Sequence, residues 1–164
     1  TLILTLLHDA LPILIELEKN ELSEMDSKLL NKAKEASKNA YAPYSKFKVG
    51  ASLLLENDEI YSANNQENAA YPSGLCAERI AIFAAKSNAP NSKVLKIAIY
   101  IESETGNQGM VFPCGSCRQS ISEYEFNQER NIEIITKKKG SNVFKSNSIK
   151  NILPSSFNSS DLIG

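Results

Sequence analysis

The chain has 164 residues, of which 42% are apolar and 23% are charged. This length fits a single domain, and this composition excludes a disordered chain, a collagen and a coiled coil. Eighteen basic residues stand against nineteen acidic ones, so a net charge of −1 provides no general attraction for a nucleic acid polymer. We therefore expect one globular domain that does not bind DNA or RNA.

The first 17 residues are rich in Leu and Ile, but they fit neither a membrane segment nor a signal peptide. Three residues interrupt the apolar run: His8, Asp9 and Pro12. No basic residue precedes it, although a signal peptide needs one. Residues 7–13 resemble the translation of a sequencing-library adapter. We therefore expect residues 1–24 to be a non-native or disordered extension and residues 25–164 to form the domain.

In chain order, the first predicted native elements are a helix and a hairpin. The helix begins at Ser27, because apolar residues recur at helical spacing from Leu29 to Ala36. From Phe47 to Leu55 apolar and mostly polar residues alternate, which is typical of a half-buried strand. A polar turn leads to a second strand from Ile60, so the two strands form a hairpin.

The rest of the chain alternates strands and helices. Helices are predicted at about 75–86 and at 116–126, and strands at 94–101 and 132–136. This order predicts an α/β fold with three layers, helix–sheet–helix, in which a mixed sheet starts with an antiparallel hairpin and continues with parallel crossovers. The basic run at 137–140 is interpreted as a solvated turn between strands, not as a nucleic-acid-binding patch.

All three cysteines lie in two short clusters, each at the predicted start of a helix. Cys76 begins the run C-A-E-R, and Cys114 and Cys117 belong to the run P-C-G-S-C-R. Free backbone N–H groups and the helix dipole favour thiolates at such positions. Three thiolates without a fourth protein ligand are typical of a catalytic zinc site, which keeps one position for water. We therefore predict one Zn²⁺ per chain and reduced thiols in the cytoplasm.

Charged residues next to the cysteines complete this predicted site. Glu78 follows the first ligand by two residues, so its carboxylate can take a proton from the water and pass it to a substrate. Three thiolates give Zn²⁺ a formal charge of −1, which weakens it as a Lewis acid. Arg79 and Arg118 directly follow the two clusters and are placed to offset this charge by hydrogen-bonding the sulfurs.

Two other interpretations of the cysteines remain open. A C-x-x-C run at a helix start is also typical of a thiol–disulfide redox centre, although that function leaves Cys76 and Glu78 without a role. A structural zinc site needs a fourth ligand. The single histidine, His8, lies in the doubtful N-terminal segment.

The spacing C-x-E…P-C-x-x-C resembles the signature of zinc deaminases, with Cys in place of a His. From about Leu29 to Leu162 the chain resembles the small, homotetrameric cytidine deaminases that bind zinc through three cysteines. The other matching segments are 41–47, 49–51, 65–71 and 153–157.

This resemblance implies a cytidine-deaminase-like fold and a function in pyrimidine salvage. The expected reaction is zinc-dependent hydrolysis of cytidine and 2′-deoxycytidine to uridine and 2′-deoxyuridine with release of ammonia. Glu78 would move the protons. The alternative substrate is another aminopyrimidine nucleoside, such as blasticidin S. The expected partners are free nucleosides and further copies of the chain in a homotetramer with shared active sites, without a nucleic acid polymer or a membrane.

The resemblance also implies individual substrate contacts. Phe47 would stack near the base, and Asn65 and Glu67 would hold the 3′-hydroxyl of the sugar. Phe157 would reach the active site of a neighbouring subunit. Two further contacts are expected from Tyr71 and Ala77.

Overall fold

The computed structural model describes residues 14–103 and 110–162. Its helices and strands are, in chain order, β1 (Ile15–Leu17), α1 (Glu24–Ser37), β2 (Lys48–Leu55), β3 (Ile60–Asn64), α2 (Ala77–Asn88), β4 (Val94–Glu102), α3 (Gly115–Asn127), β5 (Glu133–Lys138) and β6 (Val143–Ser146). Short 3₁₀ turns lie between and after them. None of the helices in these two ranges has the length and apolar composition needed to cross a bilayer.

The six strands form one mixed sheet in the order β1-β6-β5-β4-β2-β3. β2 pairs antiparallel with both β3 and β4, and β4 pairs parallel with β5 through the crossover that contains α3. The predicted mixed sheet with an initial hairpin is confirmed. Among the described strands, β4 and β5 are the one pair that is hydrogen-bonded in parallel, because β4 pairs antiparallel with β2 and β6 pairs antiparallel with β5.

Helices cover both faces of the sheet, as predicted for a three-layer fold. On one face α1 packs through Leu29 and Leu30 on Leu54 and Ile135. On the other face α2 and α3 pack on the sheet in a larger core. Its central side chains are fully or almost fully buried: Leu53, Leu55, Ile82, Ile97, Ile121 and Ile134.

The prediction that β2 is half-buried is wrong, because α1 covers its second face. From Gly50 to Leu55 every residue of β2 is buried. The residues of β2 that face α1 include Gly50 and Ser52, whose small size allows the helix to come close. The Ser52 hydroxyl donates a hydrogen bond of 2.7 Å to the Leu29 carbonyl. The alternation in this strand therefore does not separate buried from exposed residues, because Leu54 on the α1 side is buried just as Leu53 and Leu55 on the other side are.

The edge strand β1 was not predicted, and β6 was implied only as the strand after the turn at 137–140, because these strands have only three and four residues. β1 lies within the segment expected to be a non-native or disordered extension and pairs with β6. That domain boundary stays a prediction, and residues 1–13 lie outside the described residues. The interpretation of 137–140 as a solvated turn is wrong in part, since Lys138 ends β5 and is buried.

A buried carboxylate fixes the far end of α3 to the C-terminal segment. Glu125 accepts hydrogen bonds from the backbone N–H of Ile132 at 2.7 Å and of Ile149 at 3.1 Å. The Ser148 hydroxyl donates a third bond to it at 2.6 Å. Because α3 also carries two of the cysteines, this carboxylate links their helix to the chain that leads towards Phe157.

The close approach of α1 to β2 generates a stability prediction. A Cβ atom on Gly50 would lie 1.9 Å from the Ala33 carbonyl oxygen and 2.6 Å from the Ser37 nitrogen. Since these are backbone atoms, Gly50→Ala must displace the helix, and we expect it to lower the free energy of unfolding by about 3 kcal/mol or more. Urea denaturation measures this change.

Gly115→Ala is the matched control, because a Cβ atom at Gly115 meets nothing within 4 Å. We expect its free energy of unfolding to stay within about 1 kcal/mol of the unmodified protein. Equal stabilities of the two variants would contradict the described contact between α1 and β2.

Candidate active site

The structure brings the three cysteines together where two helices begin side by side. Cys76 is the N-cap residue of α2 and Cys114 is the N-cap residue of α3. Their Sγ atoms lie 3.9 Å apart, and the Sγ atoms of Cys114 and Cys117 lie 3.5 Å apart. All three sulfurs lie within 4.8 Å of one another. The predicted metal cluster is therefore present as a geometric unit.

The arrangement of the sulfurs fits a zinc ion. Tetrahedral Zn²⁺ with Zn–S bonds of about 2.3 Å places its sulfur ligands about 3.8 Å apart. All three thiols are free, with Cys117 buried and Cys114 exposed. Within the described residues the cluster contains no fourth Cys, His or carboxylate ligand. The donor set therefore fits a three-ligand site of the catalytic kind.

A hydrogen bond between the thiols of Cys76 and Cys117 shifts the pKa of both groups. Hydrogen bonds, first from Cys117 and then from Arg79 and Cys114, lower the pKa of Cys76 to about 5 despite its partial burial. The pKa of Cys117 is raised, because its proton is held on the Cys76 sulfur and because it is buried. A cation bound to all three sulfurs replaces these protons, so its affinity must fall with falling pH.

The two arginines occupy different positions. Nη2 of Arg79 lies 3.9 Å from the Cys76 sulfur, so this guanidinium group is close enough to offset negative charge on that sulfur. Arg118 donates from Nε to the Pro113 carbonyl at 2.7 Å and from Nη1 to the Ile152 carbonyl at 2.8 Å. It therefore ties the residue before Cys114 to the C-terminal segment. A direct bond from Arg118 to a sulfur stays a prediction.

Glu78 lies in the first turn of α2, directly beside the cluster. Its side chain is only 5% exposed. Burial raises the pKa of Glu78 to about 7, and the neighbouring charge of Cys76 adds to the rise. A carboxyl group with such a pKa can both accept and release a proton near neutral pH.

A small cavity of about 170 Å³ contains this carboxyl group. Apolar side chains form most of its wall, and Asn65 and Glu78 are the polar side chains that join the two cysteines there. The lining residues are Phe47, Val49, Asn65, Cys76, Glu78, Ile99, Ile101, Val111, Phe112 and Cys114. Sequence analysis did not identify Val111 and Phe112, although this apolar pair directly precedes the P-C-x-x-C run and was a usable signal.

A larger and more open cavity of about 480 Å³ adjoins the small one, because both include Asn65 and Cys76 in their walls. Its wall is rich in polar side chains. The lining residues are Tyr44, Ser45, Asn65, Gln66, Glu67, Asn68, Tyr71, Gly74, Leu75, Cys76 and Arg79. The small cavity is therefore the apolar end of the site, and the larger, more open cavity is its polar end.

Asn65 and Glu67 line the polar end and also hold the loop that precedes β2. The Asn65 side chain donates to the Phe47 carbonyl at 2.9 Å and accepts from the Val49 nitrogen at 2.8 Å. Glu67 accepts from the nitrogens of Tyr44 at 3.0 Å and Ser45 at 3.3 Å. This structural role was not predicted, since it depends on contacts between residues far apart in the sequence.

The remaining predicted substrate residues lie at three different depths. Tyr71 is 77% exposed at the mouth of the larger cavity, where its ring packs edge-to-face with Tyr44 at 6.3 Å between centroids. Ala77 is fully buried in the core and lines neither cavity, so its contact with a substrate stays a prediction. Phe157 is 54% exposed and lines neither cavity.

The sequence and the fold match known proteins. The family described as "Cytidine and deoxycytidylate deaminase zinc-binding region" matches residues 23–129. A cytidine deaminase of Sporosarcina psychrophila is 46% identical over 97 residues, which cover 59% of this chain and 68% of that protein. A probable cytidine deaminase of Dictyostelium discoideum is 34% identical over 136 residues, covering 83% of this chain and 86% of that protein.

A solved structure supports the same relationship. The crystal structure of cytidine deaminase from Burkholderia pseudomallei matches with a TM-score of 0.69 and 33% identity, covering 83% of this chain and 100% of that chain. The match therefore extends to the three-layer fold that places the two helix starts side by side. The chain belongs to the cytidine and deoxycytidylate deaminase family.

Proposed function

We propose that this protein hydrolyses the 4-amino group of cytidine and 2′-deoxycytidine, giving uridine or 2′-deoxyuridine and ammonia. One observation carries the proposal: the carboxyl group of Glu78 and the three-sulfur cluster meet at the wall of the small apolar cavity. A proton carrier and a metal site at the end of a ring-sized cavity are what a hydrolytic deaminase needs. The family relationship supports this function.

The shape and chemistry of the two cavities fit a nucleoside. The aromatic side chains of Phe47 and Phe112 offer the small cavity flat apolar faces for a pyrimidine ring. The larger cavity offers the amide of Asn65 and the carboxylate of Glu67, which can bond sugar hydroxyls. We therefore place the base beside Glu78 and the ribose at the polar end.

The sulfurs of Cys76, Cys114 and Cys117 hold the zinc ion in this proposal, and Arg79 offsets their negative charge. When bound, the ion acts as a Lewis acid that makes a water molecule nucleophilic at neutral pH. The N-termini of α2 and α3 also help to compensate this charge, because their N–H groups favour negative charge on the sulfurs of Cys76 and Cys114.

Glu78 moves two protons during the reaction. It takes the first proton from the attacking water and delivers it to N3 of the base, which makes C4 more electrophilic. The water oxygen then bonds to C4. Glu78 takes the second proton from that oxygen and delivers it to the amino group, which leaves as ammonia. The first proton stays on N3 of the uridine product. A pKa of about 7 suits both directions of transfer.

The redox alternative is less well supported than the deaminase. A dithiol centre needs only Cys114 and Cys117, but the Cys76 sulfur lies 3.9 Å from Cys114 and completes the cluster. Glu78 would also have no function in a redox centre. The other alternative, another aminopyrimidine nucleoside such as blasticidin S, shares the same chemistry and differs only at the polar end of the site.

We further propose a homotetramer with shared active sites. Phe157 supports it, because its side chain is exposed and lies outside the cavities of its own chain. Gln119 on α3 donates a hydrogen bond of 2.7 Å to the Phe157 carbonyl, which fixes the backbone while the ring projects outward. A cytoplasmic location fits three free thiols that serve as ligands, since a reducing compartment keeps them unpaired.

Replacement of Glu78 tests the function. Glu78→Gln removes the proton carrier but none of the sulfurs, so we expect zinc content and fold to be retained. The rate of cytidine deamination should fall by about 10³-fold or more, because one residue performs two transfers. The measurement is the loss of cytidine absorbance with purified protein.

Glu24→Gln is the matched control, since Glu24 occupies the first turn of α1, outside both cavities. We expect it to retain full activity. If the Glu78→Gln protein deaminated cytidine at a rate within tenfold of that of the unmodified protein, Glu78 would not be the proton carrier. Faster turnover of blasticidin S than of cytidine would favour the alternative substrate.

A phosphate ester at the 3′-hydroxyl of cytidine tests the proposal that nucleic acid polymers are not substrates. The Glu67 carboxylate lines the proposed sugar cavity, so it repels a phosphate attached there. We expect kcat/KM for 3′-CMP to fall at least about 100-fold below that for cytidine, which corresponds to about 2.7 kcal/mol. Removal of the 2′-hydroxyl should matter little. Equal kcat/KM values for cytidine and a cytosine-containing oligonucleotide would refute the proposal that the sugar binds beside Glu67.

A further inference from the structure

Ser45 lines the larger cavity, and its hydroxyl bonds to one residue from the wall of each cavity. Its hydroxyl donates a hydrogen bond to Oε1 of Glu67 in the polar cavity. The same hydroxyl accepts a hydrogen bond of 3.0 Å from the backbone nitrogen of Phe47, whose ring lines the apolar cavity. One side chain therefore connects the carboxylate proposed for the sugar to the aromatic residue proposed for the base.

The loop around Ser45 needs such fixing, because its backbone is strained. Lys46 has a φ of +57°, in the left-handed region that residues with side chains rarely adopt. The Lys46 nitrogen donates to the Ala42 carbonyl at 3.1 Å, which closes a tight turn. Phe47 directly follows the strained residue. A change in this turn therefore moves the aromatic wall of the base cavity.

Three of the hydrogen bonds to the Glu67 carboxylate come from this turn. Oε2 accepts hydrogen bonds from the backbone nitrogens of Tyr44 and Ser45, and Oε1 accepts a hydrogen bond from the Ser45 hydroxyl. A carboxylate has about four acceptor positions, so one remains for a ligand hydroxyl and its direction is set by the other three. The Ser45 bond is also the main reason that the pKa of Glu67 is lowered, which keeps the acceptor ionised.

We propose that Ser45 is a positioning residue for the deamination reaction: its hydroxyl aims the Glu67 carboxylate at the 3′-hydroxyl of the sugar and fixes the Phe47 backbone beside the base. The inference rests on the proposed function. Ser45 itself is exposed and is not required by the hydrophobic core. Its hydroxyl group, not its burial, is therefore what matters at this position.

The test compares two substrates in Ser45→Ala. For cytidine we expect kcat/KM to fall about tenfold or more, mainly through KM, because a hydrogen bond to a charged group is lost. 3′-Deoxycytidine has no 3′-hydroxyl to donate a hydrogen bond to Glu67. For this substrate the loss of kcat/KM should therefore be at least about threefold smaller than for cytidine. Ser45→Thr keeps the hydroxyl and should recover most of the kcat/KM for cytidine. Zinc content should not change in either variant.

Ser141→Ala is the matched control, because the Ser141 hydroxyl likewise donates one hydrogen bond and accepts one from a backbone nitrogen in a turn, here between β5 and β6. It donates to the Lys138 carbonyl at 2.9 Å and accepts from the Lys138 nitrogen at 3.2 Å. We expect its kcat and KM to match those of the unmodified protein.

The possible failures can be told apart. An unmodified protein that does not deaminate cytidine overturns the proposed function. If that protein is active, three results overturn only the role of Ser45. These are a kcat/KM for cytidine in Ser45→Ala within twofold of the unmodified value, equal losses of kcat/KM for cytidine and 3′-deoxycytidine, or no recovery of kcat/KM in Ser45→Thr.

Discussion

The Sγ atoms of Cys76 and Cys114 lie 3.9 Å apart although 38 positions separate the two residues in sequence. This contact exists because α2 and α3 begin side by side on one face of the sheet. Sulfur anions repel one another, so a cluster of three is stable only with compensating charge. The two helix N-termini and Arg79 provide part of it, and a bound cation provides the rest. Glu78 lies in the first turn of α2, two residues after Cys76, so the position of the cluster also fixes the position of the carboxyl group for which proton transfer is proposed.

The substrate side of the site depends on a second short segment, 65–67. Its backbone pairs with Tyr41 through bonds of 3.0 Å from the Tyr41 nitrogen and 2.8 Å to the Tyr41 carbonyl. The side chains of Asn65 and Glu67 extend this pairing to the loop before β2. The groups proposed to recognise the sugar therefore also build the wall of the base cavity. In the proposed binding mode, recognition of the sugar and recognition of the base therefore depend on the same set of hydrogen bonds.

Local sequence patterns predicted the helices, the central strands and the cysteine cluster, because each depends on a few neighbouring residues. The edge strand β1 was missed and the bounds of its neighbour β6 were not predicted, since short strands form only through pairing with distant residues. The burial of both faces of β2 was missed as well, because Gly50 and Ser52 look like exposed positions until α1 is placed on them. The bonds of Arg118 to two carbonyls likewise have no sequence signal.

The central claim is that Cys76, Cys114 and Cys117 form a three-sulfur zinc site that is open to water. X-ray absorption at the zinc edge, recorded on purified protein with the metal content of the same sample, tests it most directly. We predict one zinc per chain with three sulfur neighbours at about 2.3 Å and one lighter neighbour. Active protein without zinc, a Cys114–Cys117 disulfide in the active form, or zinc with fewer than three sulfur neighbours would contradict the account.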